Sequence, residues 1–281
     1  MEKKNRGILE ALEYVDRRIL YSLMIIVVAV PLIHPLGLPM PVSSFTRTAY
    51  NAIEALKPGE YVIWASDVDA GAWAECGPQS IAFLNHLFRI PNIKIIIVSF
   101  IPAGTDLVLL ALKEVDLHDK KYGIDYVILP YIAGGETAKA IFFSDVYKVV
   151  TLDVYGTHLE QMSIMKDFKN VNDISMYTGV VSPMTPLEEY IRQLVLPYKK
   201  PLIVGVISVN VPTLMPYIKS GQVTAYLGGA MGAAEYELLI GRPGSGLAQA
   251  DSISTSHLMI LLLVLMGNIL YIIKRVRGGK K

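Results

Sequence analysis

The chain has 281 residues, 52% hydrophobic and 18% charged, with a single cysteine and a formal net charge of +1. One large domain or two small ones fit this length, and the apolar content exceeds that of an ordinary soluble domain. A lone cysteine excludes an intrachain disulfide framework and a cysteine-based zinc site, and a near-neutral charge without a basic stripe in mid-chain argues against nucleic-acid binding.

In chain order, residues 1–18 form a leader in which Ile8, Leu9, Leu12 and Val15 recur at helical spacing. That pattern predicts a short amphipathic helix along a membrane surface, on the cytoplasmic side. The run "ILYSLMIIVVAVPLIHP" follows, uncharged apart from His34. Residues 19–40 are expected to cross the membrane as an uncleaved signal anchor, because no small-x-small cleavage site follows. Residues 36–46, rich in proline and serine, read as the linker leaving the bilayer. Residues 41–255 then alternate between two patterns. Strands are predicted at 61–66, 93–100, 126–131, 146–152, 202–207 and 223–227, and helices at 72–88, 105–115, 136–143, 186–195 and 211–220. Runs apolar throughout, such as "IKIIIVSF", suit a sheet covered on both faces. The alternation predicts an α/β, Rossmann-like fold with a mainly parallel sheet and helices on both faces. Residues 241–256, "GRPGSGLAQADSISTS", read as the linker returning to the membrane, residues 256–273 as a second transmembrane helix, and residues 274–281 as a cytoplasmic basic tail.

Orientation follows from the basic flanks. Lys3, Lys4, Arg6, Arg17 and Arg18 precede the first apolar run, and Lys274, Arg275, Arg277, Lys280 and Lys281 follow the second. The positive-inside rule therefore predicts a two-pass protein of the cell membrane with both termini cytoplasmic and the α/β domain outside. Setting aside those ten basic residues and the four acidic ones of the leader leaves 16 basic and 21 acidic residues, so the external domain carries about −5.

In an open α/β sheet, ligands bind beyond the carboxyl ends of the strands. Asp67 and Asp69 follow the first predicted strand, and Gly104 and Thr105 the second. Gly134, Gly135 and Glu136 of "YIAGGETAK" follow the third, Thr157 of "DVYGTH" the fourth, and Asn210 the fifth. These residues are the candidate ligand-binding edge; none is assigned a catalytic role. Because Gly134 and Gly135 open a predicted helix, their amides suit an anion. A second group concerns assembly. Gly228, Gly229, Gly232 and Ala233 of "GGAMGAAEYELLIG", with Gly267 in the second apolar run, permit close approach of another surface and are the candidate interface. The competing reading of the glycine run is helix–sheet packing within one subunit. Glu235 and Glu237 beside it are costly if buried without partners.

The combination of "SDVDAG", "YIAGGE", "YGT" and "GGAMGAAEYELLIG" ahead of "HLMILLLVLMGN" resembles a family of membrane-anchored prokaryotic proteins with an external Rossmann-like domain, over residues 58–273. The resemblance implies that these turns form one site and carries no catalytic assignment. Separately, the D-x-D spacing of Asp67 and Asp69 after an apolar strand resembles the first motif of haloacid dehalogenase-like phosphatases, with Ser99 in the place of the second. That resemblance implies a nucleophile, a general acid/base and a magnesium ion, but the family's later lysine and paired acidic ligands find no convincing counterpart. Turn and capping chemistry ahead of a helix at Ala72 is the plain alternative for the two aspartates. Two functions stay open. The first is a non-enzymatic subunit without cofactor, recognising a ligand or partner within an oligomeric membrane assembly and contacting the lipid bilayer and further copies or other membrane proteins. The second is an external metal-dependent hydrolase using Asp67, Asp69 and a divalent cation.

Overall fold

The computed structural model describes residues 16–278. The amphipathic pattern at Ile8–Val15 and the end of the basic tail, Lys280 and Lys281, lie outside the described residues. The chain divides into two compact units, Met40–Leu247 and the pair of terminal segments Met1–Pro39 with Ala248–Lys281.

The larger unit is built on six parallel strands: β1 (Tyr61–Asp67), β2 (Lys94–Ser99), β3 (Tyr126–Tyr131), β4 (Ile174–Val181), β5 (Leu202–Val206) and β6 (Ala225–Gly228). Their spatial order is β3-β2-β1-β4-β5-β6, that of a doubly wound sheet, so the direction of winding reverses between β1 and β4. Alternation along each strand feeds two cores. Ile63, Ala65, Ile96, Val98 and Leu129 face α5 (Gly135–Ser144), α6 (Met184–Tyr190) and α7 (Val211–Lys219). Val62, Trp64, Ile95, Ile97 and Ile128 face α2 (Ser44–Glu54), α3 (Trp73–Arg89), α4 (Gly104–Leu112) and α8 (Gly229–Ile240). Each buried large apolar side chain stabilises the fold by roughly 1.5–3 kcal/mol, which is why strands apolar on both faces lie between two helix layers here.

Five of the six predicted strands coincide with observed ones. The exception is 146–152. Val146–Lys148 is a 3₁₀ turn, and the strand beside β1 is Ile174–Val181, in a stretch where Ser175, Thr178 and Gly179 break the apolar run. Gly179 explains the choice. Its φ is +152°, and a β-carbon there would sit 2.0 Å from the carbonyl oxygen of Ala65 on β1, so only glycine lets the two central strands approach. Both linker readings are shortened. Residues 36–43 are irregular as expected, and Ser43 caps α2, which begins at Ser44, by accepting the Thr46 N–H at 3.2 Å. Within 241–256, the long helix α9 (Ser245–Gly278) has already begun.

The sheet's two margins are covered. α2 packs along β6, with the Phe45 and Tyr226 rings 4.9 Å apart, and the Val154 N–H donates to the Ile128 carbonyl at 3.0 Å on the free side of β3. Covered edges remove the template that strand-to-strand aggregation needs.

In the smaller unit, α1 (Arg17–Ile33) has 17 residues, about 25 Å of helix. It stops at His34, ahead of Pro35, Gly37 in a left-handed conformation and Pro39, so no continuous helix fills 19–40. Within this unit α1 and α9 pack together. The Ser252 hydroxyl donates to the Val28 carbonyl at 3.0 Å, and the Asp251 carboxylate accepts the N–H groups of Leu36, Gly37 and Leu38 at 2.7–3.1 Å. Among the described residues, Ser245–Ile273 is the one helix long and apolar enough to cross a membrane, and its apolar window is almost wholly exposed.

Candidate functional site

The carboxyl edge of the sheet gathers most of the residues singled out from sequence, in two layers. Asp67 is in the lower one. As the last residue of β1 it alternates onto the α5–α6 face, where its side chain is 0% exposed. One oxygen accepts the Phe100 N–H at 2.7 Å at the end of β2; the other accepts the Tyr190 hydroxyl of α6. The Ser99 hydroxyl lies 3.5 Å from the first oxygen and donates better, at 2.7 Å, to the Ser66 carbonyl. Lys139 of α5, 1% exposed, donates to Glu189 at 2.5 Å and lies over the rings of Phe100 and Tyr190 at 5.0 and 4.8 Å. Burial pushes the Asp67 carboxyl up, opposed by the Lys139 ammonium, the Tyr190 hydroxyl and the Phe100 N–H. Burial and then the neighbouring Asp67 raise the Tyr190 hydroxyl well above its ordinary value, so it stays protonated and donates.

This network ties together the ends of β1 and β2 and the helices α5 and α6. It leaves Asp67 neither a free lone pair directed at solvent nor a path for a substrate to reach it. Asp67 is therefore neither a helix cap nor an open nucleophile. A lysine does come close to it, but its ammonium is engaged by Glu189. Gly104 is part of the same closure: a β-carbon there would lie 1.8 Å from the Ser66 carbonyl oxygen and 2.0 Å from Ser99 Oγ. Thr105, next to it, is buried.

The upper layer sits at the reversal point of the sheet, with Asp69 exposed, Asn210 half-buried and Ser182 buried beneath them. The Asp69 N–H donates to Ser182 Oγ at 2.9 Å, and that hydroxyl donates to Asp69 Oδ2 at 3.3 Å. Asn210 Nδ2 donates to the Ser182 carbonyl at 2.5 Å. Thus the loops after β1, β4 and β5 are joined through Ser182, which sequence reading missed because it misplaced β4. Glu75 on α3 accepts both the N–H and the hydroxyl of Ser208, at 2.8 and 2.5 Å. Asp67 and Asp69 point into different layers. Among the described residues no group of three or more His, Cys, Asp or Glu side chains is placed to hold a metal ion.

Gly134 and Gly135, at φ +115° and +55°, turn the chain into α5 as the glycine pattern anticipated. Glu136 in that first turn pairs with Arg192 at 2.8 and 2.9 Å and accepts from Gln193 at 2.9 Å; the Arg192 hydrogen bonds hold its carboxyl down at about 2. A fixed carboxylate at the helix start weakens the case for an anion there. Thr157 lies elsewhere. Its N–H and that of Tyr155 close a turn onto Asp153 Oδ1, at 2.6 and 3.0 Å, beside β3 rather than at the carboxyl edge.

The glycine run is engaged within the chain. A β-carbon on Gly232 would lie 2.9 Å from the Leu227 backbone, one on Gly229 1.9 Å from Ser208 Oγ, and one on Gly228 2.9 Å from Val211; Ala233 is 0% exposed. These four positions form the seat of α8 on β6 and α3, the packing within one subunit that competed with the interface reading. The two glutamates have partners. Glu235 accepts the Ser43 N–H and the Thr46 hydroxyl at 3.0 and 2.6 Å, and buried Glu237 accepts the N–H groups of Gly244, Gly246 and Leu247 at 2.7–2.9 Å. Gly267 has open space around it. Comparison with protein-family models, curated proteins and solved structures finds no match to the chain.

Proposed function

We propose that the chain is a bilayer-anchored, non-enzymatic recognition subunit. α1 and α9 hold it in the cell membrane, both termini are cytoplasmic, and the α/β unit is displayed outside to bind a small ligand or partner at the Asp69–Ser182–Asn210 edge. The observation that carries the anchoring is the exposure of large apolar side chains along both helices, among them Ile25, Ile33, Leu261 and Ile272, at 57–74%. Contiguous apolar surface of that extent is unstable against water and stable against lipid. α1 is shorter than the roughly 30 Å hydrocarbon core, and its flanking Arg17 and Arg18 can reach the headgroup region. The full engagement of Asp67 favours recognition over hydrolysis, since the residue required as nucleophile is closed in.

Alkaline washing of membranes from expressing cells, combined with thiol labelling, tests this reading. Native Cys76 is buried, with its thiol pushed up to about 12, so an introduced cysteine reports alone. The expected result is a chain retained in the washed membrane. Exposed Lys166→Cys should react with an impermeant maleimide in intact cells, and Gly279→Cys only after permeabilisation. The reverse labelling overturns the orientation, and loss of the chain in the wash overturns the anchoring.

A further inference from the structure

A polar side chain stands on the free face of the C-terminal helix. Asn268 is exposed, and its Nδ2 donates to the Val264 carbonyl at 2.9 Å, one turn back. That carbonyl already serves the helix, and no other hydrogen bond of the Asn268 side chain occurs among the described residues. The face on which it sits is fixed by helix geometry. Residues Ser252, Thr255, Met259 and Leu262 face α1 through the hydrogen bonds from Ser252 and Thr255 to Val28 and Val27 and a shared apolar groove of about 460 Å³. At 100° per residue, Ile260, Val264, Gly267, Asn268 and Tyr271 lie on the opposite side. Ile260, Val264 and Tyr271 are 47%, 56% and 64% exposed, and nothing lies within 4 Å of a β-carbon placed on Gly267.

We infer that this face is the contact between two copies of the chain within the membrane, with the Asn268 carboxamides hydrogen-bonded to each other. The inference rests on the anchoring reading above. In hydrocarbon a carboxamide oxygen and its spare N–H have no water to turn to, so they demand a partner of the same depth. A second copy meets that demand without any further component. The amide carries both a donor and an acceptor, so two of them related by a two-fold axis satisfy each other, as an isologous contact requires. Gly267, one residue away, removes the bulk that would hold the two helix backbones apart. The contact replaces the soluble-domain glycine run as the place where subunits meet.

Disulfide trapping in native membranes of full-length chain tests it. Val264→Cys lies on the proposed face, and Met259→Cys, at a position 7% exposed, faces α1. Oxidation is expected to give a covalent dimer from Val264→Cys and little from Met259→Cys. Adding Asn268→Leu should lower the Val264 dimer yield about tenfold, while Asn268→Gln, which keeps both hydrogen-bonding functions, should retain most of it. Equal trapping at both positions, or a yield indifferent to Asn268→Leu in chain that stays in alkali-washed membranes, overturns the contact and leaves the anchoring intact. Chain that washes off the membrane overturns the anchoring, and this contact with it.

Discussion

Replacing Asp67 by alanine removes the centre of the network beneath the sheet's carboxyl edge. The Phe100 N–H and the Tyr190 hydroxyl would then be buried without partners, at about 1–3 kcal/mol each, and the lost carboxylate leaves a void. A total near 4 kcal/mol is expected, about 10 °C in Tm for a unit of this size. Asp67→Asn keeps an acceptor for Phe100 and a group that Tyr190 can bond, so it should lose only about 1–2 kcal/mol. The two variants also separate charge from hydrogen bonding through pH. Burial raises the Asp67 carboxyl above its unfolded value, so the folded state takes up a proton first as pH falls. The ionised carboxylate therefore weighs against the fold above its folded pKa, and that penalty disappears as pH drops through it. Wild type should accordingly gain stability relative to Asp67→Asn on acidification, the opposite of the usual carboxylate. Thermal unfolding of the full chain in mild detergent, followed by the fluorescence of Trp64, which is 0% exposed, reads both effects. An Asp67→Ala variant within 1 kcal/mol of wild type, or a hydrolytic activity of wild type that a still-folded Asp67→Asn variant loses, would refute the view of Asp67 as a closed structural hub.

Gly232→Leu is expected to abolish folded expression in the membrane rather than shrink an assembly, because its β-carbon already meets the Leu227 backbone; a folded, smaller particle after extraction in mild detergent and size-exclusion chromatography would restore the interface reading. His86, fully buried, bonds Tyr236 at 2.7 Å and Glu54 at 2.9 Å, and burial pushes it down to about 4. Because the unfolded chain then binds the extra proton, stability should fall as pH drops from about 6.5 to about 4, by roughly 3 kcal/mol at the acid end, and this loss should be blunted in His86→Gln when urea melts are compared at several pH values. Arg192→Ala, which breaks the exposed pairs with Glu136 and Glu188, should change Tm by no more than about 3 °C, less still in high salt.

Local sequence determined much of this. The two-faced apolar runs at β1, β2, β3 and β5 announced parallel strands covered on both faces, because burial on both faces writes itself into every residue of a strand. Gly134 and Gly135 announced the turn into α5 because few other residues take that backbone conformation. The exposed apolar run at Leu258–Ile273 followed from composition alone. The tertiary structure decided the rest. β4 could not be read because Gly179 and Thr178 answer to Ala65 and Trp64, more than a hundred residues away, rather than to their own neighbours. For the same reason Ser182 and Lys139 were invisible as partners of Asp69 and Asp67. The sequence also left Asp67 open between nucleophile, metal ligand and turn residue, since a D-x-D spacing is compatible with all three. What separates these readings is which atoms surround the carboxylate. Those are supplied by β2, α5 and α6, elements whose distance in the chain says nothing about their distance in space.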